Sequence, residues 1–257
     1  SQAYYVNESF WHIGDISMQR EQYGVAIRYF NRVGGGDWLL PARNSLSQAY
    51  LELGDPATAL AVQRELAADY PKQALATLPS QAQILLAMDR VPEALVAMDE
   101  ALSYRPWDER LWLFRGGLEE QGGLSQEAVE SFRQALALAP DSAVVKNALG
   151  YTLLNTGDDD YEEAYQLIRA ALEIEPSNPA YQDSLGWAYY RLGNLPEALK
   201  WLQKAYEQMR DGEIAAHLGE VLWETGQRDI ARAIWSDAVT REPDNPILLE
   251  TIRRYTS

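Results

Sequence analysis

An alanine recurs along this chain at intervals of 33 to 36 residues, which identifies the sequence as an internal repeat. The seven copies are Ala26, Ala59, Ala94, Ala128, Ala164, Ala198 and Ala231. A glycine precedes four of them by twelve residues, at Gly14, Gly116, Gly186 and Gly219, and Gly150 is the same feature displaced by two. A proline follows five of them by twelve residues, at Pro71, Pro106, Pro140, Pro176 and Pro243. Small residues let helices approach closely and proline interrupts them, so we expect a stack of similar helical units.

The sixth copy shows what one unit contains. Leu185 and Ala188 lie at helical spacing and predict an apolar stripe. Gly193 is expected to end that helix, because glycine accepts the left-handed conformation of a helix stop. Pro196 then suits the first turn of a second helix, where its missing N–H costs nothing. That second helix has an apolar stripe of its own, which includes Leu202. Two helices this short cannot bury both stripes alone, so they need neighbours of the same kind.

This set of positions resembles the tetratricopeptide repeat (TPR). The resemblance implies an all-α protein, a right-handed α-solenoid of seven helix-turn-helix repeats with a C-terminal capping helix. We place one solenoid over residues 1–257, with repeats at about 7–39, 40–74, 75–108, 109–142, 143–178, 179–211 and 212–245 and the capping helix over 246–257. Ser47 and Ala82 stand where the glycine is expected, and Arg210 stands where the proline is expected.

The start of the chain lacks a cap. Residues 1–6 precede the first recognisable repeat and show no capping pattern, whereas a solenoid normally covers its exposed end with a polar face. We therefore expect the stack to be the C-terminal part of a longer array, with Trp11 and the apolar side of the first helix under-covered.

Composition narrows the possible partners and compartments. The formal net charge of −16 argues against nucleic acid and anionic membrane surfaces, because phosphate binding needs clustered Lys and Arg. A basic or mixed-charge protein would be attracted. The absence of cysteine excludes disulfides, thiol catalysis and Cys-type zinc sites, and it fits an oxidising compartment.

Three local features allow more than one interpretation. Gly34-Gly35-Gly36 is interpreted as a flexible turn rather than a phosphate-binding loop, because no Gly-Lys-Ser/Thr follows. The first helix of repeat three is expected to start at Pro79 or to kink there. The stretch 158–161, Asp-Asp-Asp-Tyr, is interpreted as a solvated acidic turn rather than a calcium loop, because it lacks the glycine and distal glutamate of an EF-hand.

No catalytic pattern is recognisable. The histidines, His12 and His217, are far apart and have no metal-ligand spacing around them, so we interpret both as packed or partly exposed side chains. The chain contains no G-x-S-x-G elbow, P-loop or H-E-x-x-H motif. We therefore expect a non-enzymatic protein without cofactor or metal.

The resemblance to TPR proteins places the first helix of each repeat on a concave groove. It implies a partner-binding surface on repeats five to seven. The predicted site residues are Asn147, Tyr151, Asn155, Asp183, Trp187, Tyr190, Arg191, Glu220, Trp223 and Glu224. Exposed aromatic rings among adaptable polar groups are typical of protein-recognition sites, and Trp187 is the expected central anchor. Tyr190 and Trp223 are equally consistent with filling space between helices.

A narrower resemblance is found near the C-terminus. The stretches DSLGWAYYRLG (183–193) and EIAAHLGEVLW (213–223) resemble the end of proteobacterial outer-membrane TPR lipoproteins, including the adaptor of a carboxyl-terminal processing protease. This implies a periplasmic scaffold that binds the protease and its peptidoglycan hydrolase substrates, attached through a lipid anchor outside this chain. Two alternatives to this function remain: a scaffold for pilus or secretion assembly, and the recognition arm of a larger enzyme.

Overall fold

The computed structural model describes residues 2–72, 74–156 and 161–256. These residues form fifteen α-helices and one short 3₁₀ helix (Gly36–Trp38), with no strand among them, which confirms the all-α prediction of seven helix pairs and a final helix. None of these helices has the length and apolar character needed to cross a membrane. The predicted acidic turn at 158–160 lies outside the described residues.

The chain divides into two compact units, one over 1–123 and one over 124–257. Unit one contains α1 (Gln2–Gln19), α2 (Tyr23–Phe30), α3 (Leu39–Glu52), α4 (Pro56–Asp69), α5 (Ala74–Ala87), α6 (Val91–Tyr104) and α7 (Glu109–Gln121). Unit two contains α8 (Ser125–Leu138), α9 (Ala143–Asn155), α10 (Tyr161–Ile174), α11 (Pro179–Arg191), α12 (Leu195–Gln208), α13 (Gly212–Glu224), α14 (Arg228–Arg241) and α15 (Pro246–Thr256).

The helix boundaries follow from local sequence signals. Asn178 caps α11 by accepting a hydrogen bond from the Ala180 N–H, and Pro179 occupies the first turn. The chain leaves α11 through Gly193, whose φ of +77° is left-handed, as predicted. Asn194 then caps α12 in the same way. Of the two alternatives for Pro79, the helix start is wrong, because α5 begins at Ala74 and continues through that proline, and the kink stays a prediction.

The glycine-rich turn is held by a side chain from α1. The amide nitrogen of Asn7 donates to the Gly35 carbonyl at 3.0 Å, and the Gly34 N–H donates to the Asn7 oxygen at 3.3 Å. One backbone donor that a phosphate would need is therefore already engaged within the protein.

The repeat glycines face a large side chain from the second helix of the same pair. A Cβ added at Gly186 would lie 2.6 Å from Leu202 Cγ, and one at Gly150 would lie 2.7 Å from Ile168 Cγ1. At Gly219 the added carbon would overlap the rigid indole of Trp235. In the pairs α9–α10, α11–α12 and α13–α14, the glycine and the large residue opposite it therefore specify one close helix crossing.

Replacing Gly219 with alanine is expected to destabilise unit two by about 1–3 kcal/mol, because overpacking against the indole outweighs the gain in helix propensity. Gly117 is a matched control, since it lies inside α7 with nothing within 4 Å of an added Cβ. Gly117→Ala should stabilise by roughly 0.5–1 kcal/mol. Urea unfolding of both variants measures the difference, and equal stabilisation by the two would contradict the tight crossing.

Candidate functional site

The first helices of the last three pairs, α9, α11 and α13, lie side by side in unit two. Each packs against the second helix of its own pair and against the second helix of the preceding pair. This position buries α11 continuously over residues 181–188, including polar side chains. Buried polar groups need hydrogen-bond partners, and the hydrogen bonds between these three helices form the candidate site.

Trp187 on α11 is a buried residue, only 7 % exposed. Its ring stacks on His217 at 4.2 Å between centroids and packs against Tyr190 at 4.9 Å. Its indole N–H donates to the Asn155 side-chain oxygen at 3.2 Å. The prediction that Trp187 faces outward as an exposed anchor was therefore wrong, because the neighbouring first helices close over it.

A hydrogen-bonded chain joins the three helices around His217. The Nδ1 of His217 lies 2.9 Å from Asp183 Oδ2, and its Nε2 lies 3.5 Å from the Tyr151 hydroxyl. That hydroxyl also donates to the Glu213 carboxylate. Because a carboxylate can only accept, the Tyr151 hydroxyl donates its proton to Glu213, and the hydroxyl oxygen is left to accept a hydrogen bond from His217 Nε2. Asp183 accepts one from His217 Nδ1, so both imidazole nitrogens act as donors. We name these four residues, Tyr151, Asp183, Glu213 and His217, the histidine network.

The charges around His217 favour its protonated form. Burial lowers the pKa of His217, but the charge of Asp183, the hydrogen bond to it and the charges of Glu213 and Glu220 outweigh burial and raise that pKa above 6.5. Burial and the neighbouring Glu213 raise the pKa of Tyr151, so its hydroxyl keeps its proton. The stacked Trp187 ring adds a favourable face for a cation.

The stability of unit two is expected to fall as the pH rises above 6.5 through the raised pKa of His217. The folded state binds this proton more tightly than the unfolded chain, so the stabilisation is complete below 6.5 and lost above the folded pKa. The loss is about 1.4 kcal/mol for each unit of pKa difference. Urea unfolding between pH 6 and 9 measures it. His217→Gln should remove this slope, whereas His12→Gln, at an exposed position, should retain it.

Glu220 on α13 is also enclosed, which corrects its prediction as an exposed groove residue. Its carboxylate accepts a hydrogen bond from the Tyr190 hydroxyl at 3.1 Å and lies 3.5 Å from Arg254 Nη1 on the final helix. Asp183 is buried as well, with one carboxylate oxygen that has no donor among the described protein atoms. Both carboxylates are therefore enclosed within the protein, where a binding partner could not contact them directly.

The other predicted residues remain at least partly exposed. Arg191 donates to the Leu154 carbonyl and the Tyr161 hydroxyl, and its guanidinium lies 4.5 Å from the Tyr161 ring centroid. The ring of Trp223 packs against that of Trp235, with 5.7 Å between their centroids. The guanidinium groups of two arginines on α14 lie over the Trp223 ring. We name these predicted residues, together with the partly exposed Glu213, the first-helix face: Asn147, Tyr151, Asn155, Tyr190, Arg191, Glu213, Trp223 and Glu224.

His217 was predicted to be a packed or partly exposed side chain, and its place at the centre of the site was not predicted. A signal was present: His217 follows Asp183 by 34 residues, about one repeat length, which places the two on adjacent first helices at similar height. Tyr255 on α15 was not predicted to contribute, yet the centroid of its ring lies 5.8 Å from that of Trp223.

The arrangement does not resemble a metal or catalytic centre. Within 2–72, 74–156 and 161–256, no three His, Asp or Glu side chains are placed to hold a metal ion. An Asp–His pair is a combination that hydrolases use, but here His217 is only 4 % exposed and its Nε2 contacts Tyr151. The pair therefore acts as a structural bridge between helices.

The amino-acid sequence of this chain is similar to those of proteins whose family is known. A family model described as tetratricopeptide repeat matches residues 80–244, and a second of the same description matches residues 40–65. The TPR repeat-containing protein PA4667 of Pseudomonas aeruginosa is 33 % identical over 215 residues, covering 84 % of this chain and 36 % of that protein. This chain therefore spans about a third of that relative's length.

Two solved structures show the same fold at low identity. A tetratricopeptide repeat protein from Parabacteroides merdae superposes with a TM-score of 0.77 at 13 % identity, covering 98 % of both chains. PilW, a type IV pilus biogenesis factor, superposes with a TM-score of 0.67 at 17 % identity, covering 84 % of this chain and 100 % of its own. At such identities the likeness concerns the fold alone.

Proposed function

This chain belongs to the tetratricopeptide repeat family, and we propose that it is a non-catalytic scaffold whose first-helix face binds a protein segment. TPR proteins generally mediate protein–protein interaction. One observation supports this surface most: each of the three first helices carries a partly exposed aromatic ring there, Tyr151 on α9, Tyr190 on α11 and Trp223 on α13. Rings of this kind bury large areas at little entropic cost and dominate binding energy at interfaces.

The surroundings of these rings suit an extended segment. Asn155 on α9 and Glu224 on α13 are exposed beside them. Amide and carboxylate oxygens accept hydrogen bonds from the N–H groups of an extended backbone or from basic side chains. The histidine network, to which Tyr151 itself belongs, joins α9, α11 and α13 through hydrogen bonds and so fixes the three helices relative to one another. Binding then needs little rearrangement, which limits its entropic cost.

The finer proposal is an adaptor for a carboxyl-terminal processing protease that presents peptidoglycan hydrolases to it. The support is the resemblance of residues 183–193 and 213–223 to such outer-membrane lipoproteins. In this proposal the protein works on the periplasmic side of the outer membrane through a lipid anchor outside this chain. A basic or mixed-charge surface on the protease would complement the net charge of −16.

A reconstituted cleavage assay tests this function. Purified protease, a peptidoglycan hydrolase and this chain are combined, and hydrolase cleavage is followed with each component omitted in turn. We expect no cleavage by the chain alone and at least a tenfold faster cleavage when the chain joins the protease. Direct titration should show the chain binding the protease. An unchanged rate together with no binding would rule out the adaptor and leave the other envelope scaffolds.

A further inference from the structure

The histidine network reaches the protein surface on the first-helix face. Asp183 and His217 are buried, whereas Tyr151 and Glu213 are partly exposed. Glu213 precedes His217 by four residues on α13, so the two side chains lie on the same side of that helix, about one turn apart. A group that binds the Glu213 carboxylate from outside would therefore lie close to the imidazole.

The direction in which the Tyr151 hydroxyl donates depends on the charge of His217. When the imidazole is protonated, both of its nitrogens donate, so the hydroxyl donates to Glu213. When Nε2 loses its proton and Nδ1 keeps the proton that it donates to Asp183, Nε2 becomes an acceptor. The Tyr151 hydroxyl, 3.5 Å from Nε2, can then donate to the imidazole, and Glu213 loses this donor.

Charged groups around His217 decide when this proton leaves. Burial opposes the charge of the imidazole, whereas Asp183 on α11 and Glu213 and Glu220 on α13 favour it. Arg254 on α15 lies 3.5 Å from Glu220 and offsets part of that carboxylate's charge. On α12 and α14, which also pack against α13, ion pairs lie within each helix: Lys200 with Glu197, Arg232 with Asp229 and Arg241 with Asp237. A cation brought to Glu213 would repel the imidazolium and favour its neutral form.

Glu213 is the carboxylate of the histidine network that a basic partner could bind. We propose that Glu213 binds a lysine or arginine side chain of the partner segment, and that this docking is coupled to loss of the Nε2 proton of His217. The proton leaves to solvent, the Tyr151 hydroxyl turns from Glu213 to Nε2, and the freed carboxylate accepts hydrogen bonds from the basic group. This inference rests on the proposed function, because it concerns a partner bound at the first-helix face.

Partner affinity is expected to rise with pH, in the opposite direction to the stability of unit two. At pH 6 the imidazole carries its proton, because the pKa of His217 is raised above 6.5, and the Tyr151 hydroxyl occupies Glu213. As the pH rises through the raised pKa, the carboxylate becomes available to the partner. The gain of one charge-assisted contact predicts roughly tenfold tighter binding at pH 9 than at pH 6.

Calorimetric titration against the partner proposed above, a carboxyl-terminal processing protease, tests this coupling. Wild type and His12→Gln, which changes an exposed histidine of unit one, should both bind roughly tenfold more tightly at pH 9 than at pH 6. His217→Gln should remove the difference, and titration of the protease itself is common to all three proteins. Wild-type titrations at pH 7.5 in phosphate and in Tris, which have different heats of ionisation, should show net proton release on binding.

Tyr151→Phe should change the affinity in the opposite direction to His217 protonation. The variant keeps the ring but lacks the hydroxyl, so Glu213 is available at every pH, and binding at pH 6 should be about as tight as that of wild type at pH 9. Circular dichroism at both pH values checks that the variants stay folded. Wild-type binding with the same pH dependence as His217→Gln, and without proton release, would overturn this inference alone. Absence of binding at both pH values would overturn the proposed function with it.

Discussion

Trp187→Ala is expected to lower the free energy of unfolding of unit two by about 3–5 kcal/mol, the usual cost of truncating a buried aromatic side chain. The change removes the stack on His217 and leaves the Asn155 side-chain oxygen without its indole donor. Unfolding by urea, followed by circular dichroism, measures the loss. Trp107→Ala is the matched control, because that ring is 68 % exposed, and its effect should stay within about 0.5 kcal/mol.

A small effect would contradict the buried position of Trp187. If Trp187→Ala were as stable as Trp107→Ala, the ring would be an accessible surface residue, and its original prediction as a partner anchor would be correct. If stability falls as expected, weaker partner binding by this variant reports lost structure rather than a lost contact. The aromatic residues to test for binding are then Tyr190 and Trp223.

Asp183→Ala is expected to cost about 3–5 kcal/mol, because it leaves a buried imidazolium without its counter-ion. The variant should also lower the pKa of His217, since Asp183 supplies both a charge and a hydrogen bond that raise it. Two-dimensional NMR of the histidine ring measures the pKa, and urea unfolding at pH 6 measures the stability. Asp229→Asn, in an exposed ion pair with Arg232, is the control and should cause no measurable change.

A double variant separates the pair from its surroundings. Asp183→Asn with His217→Gln replaces the ion pair by neutral side chains that can still hydrogen-bond, so it should be more stable than Asp183→Ala. The coupling energy from the full cycle of single and double variants should exceed about 1 kcal/mol. Strict additivity of the two single changes would show that the residues do not interact, and the histidine network would not bridge α11 and α13.

The fold was predictable because the residues that begin, end and pack the two helices of a repeat lie within that repeat. The spacing of glycine and alanine specifies where two helices cross, and proline and asparagine specify where they begin. The structure adds the large residues that pack opposite glycines of the pattern, such as Leu202 opposite Gly186 and Trp235 opposite Gly219. These contacts lie within one pair of helices, so a single repeat length of sequence contains both partners.

The site was less predictable because its contacts join different repeats. Register correctly placed Asp183, Trp187 and Glu220 on first helices, but it could not show how closely the next helix approaches. His217 fills the space beside Trp187, and Arg254 reaches back from the final helix to Glu220, so predicted groove residues became buried. Single-repeat patterns give the direction of a side chain, whereas its exposure depends on side chains from neighbouring repeats.

The binding role of the first-helix face is tested most directly by one charge reversal. Wild type, Glu224→Lys and Glu207→Lys are each titrated against the partner proposed above, a carboxyl-terminal processing protease, at low and physiological salt. Both glutamates are exposed, but Glu224 lies on the first-helix face and Glu207 lies on the second helix α12. We predict roughly tenfold slower association for Glu224→Lys, with a weaker salt dependence, and near wild-type association for Glu207→Lys. Equal rates for the two variants would contradict binding at this face.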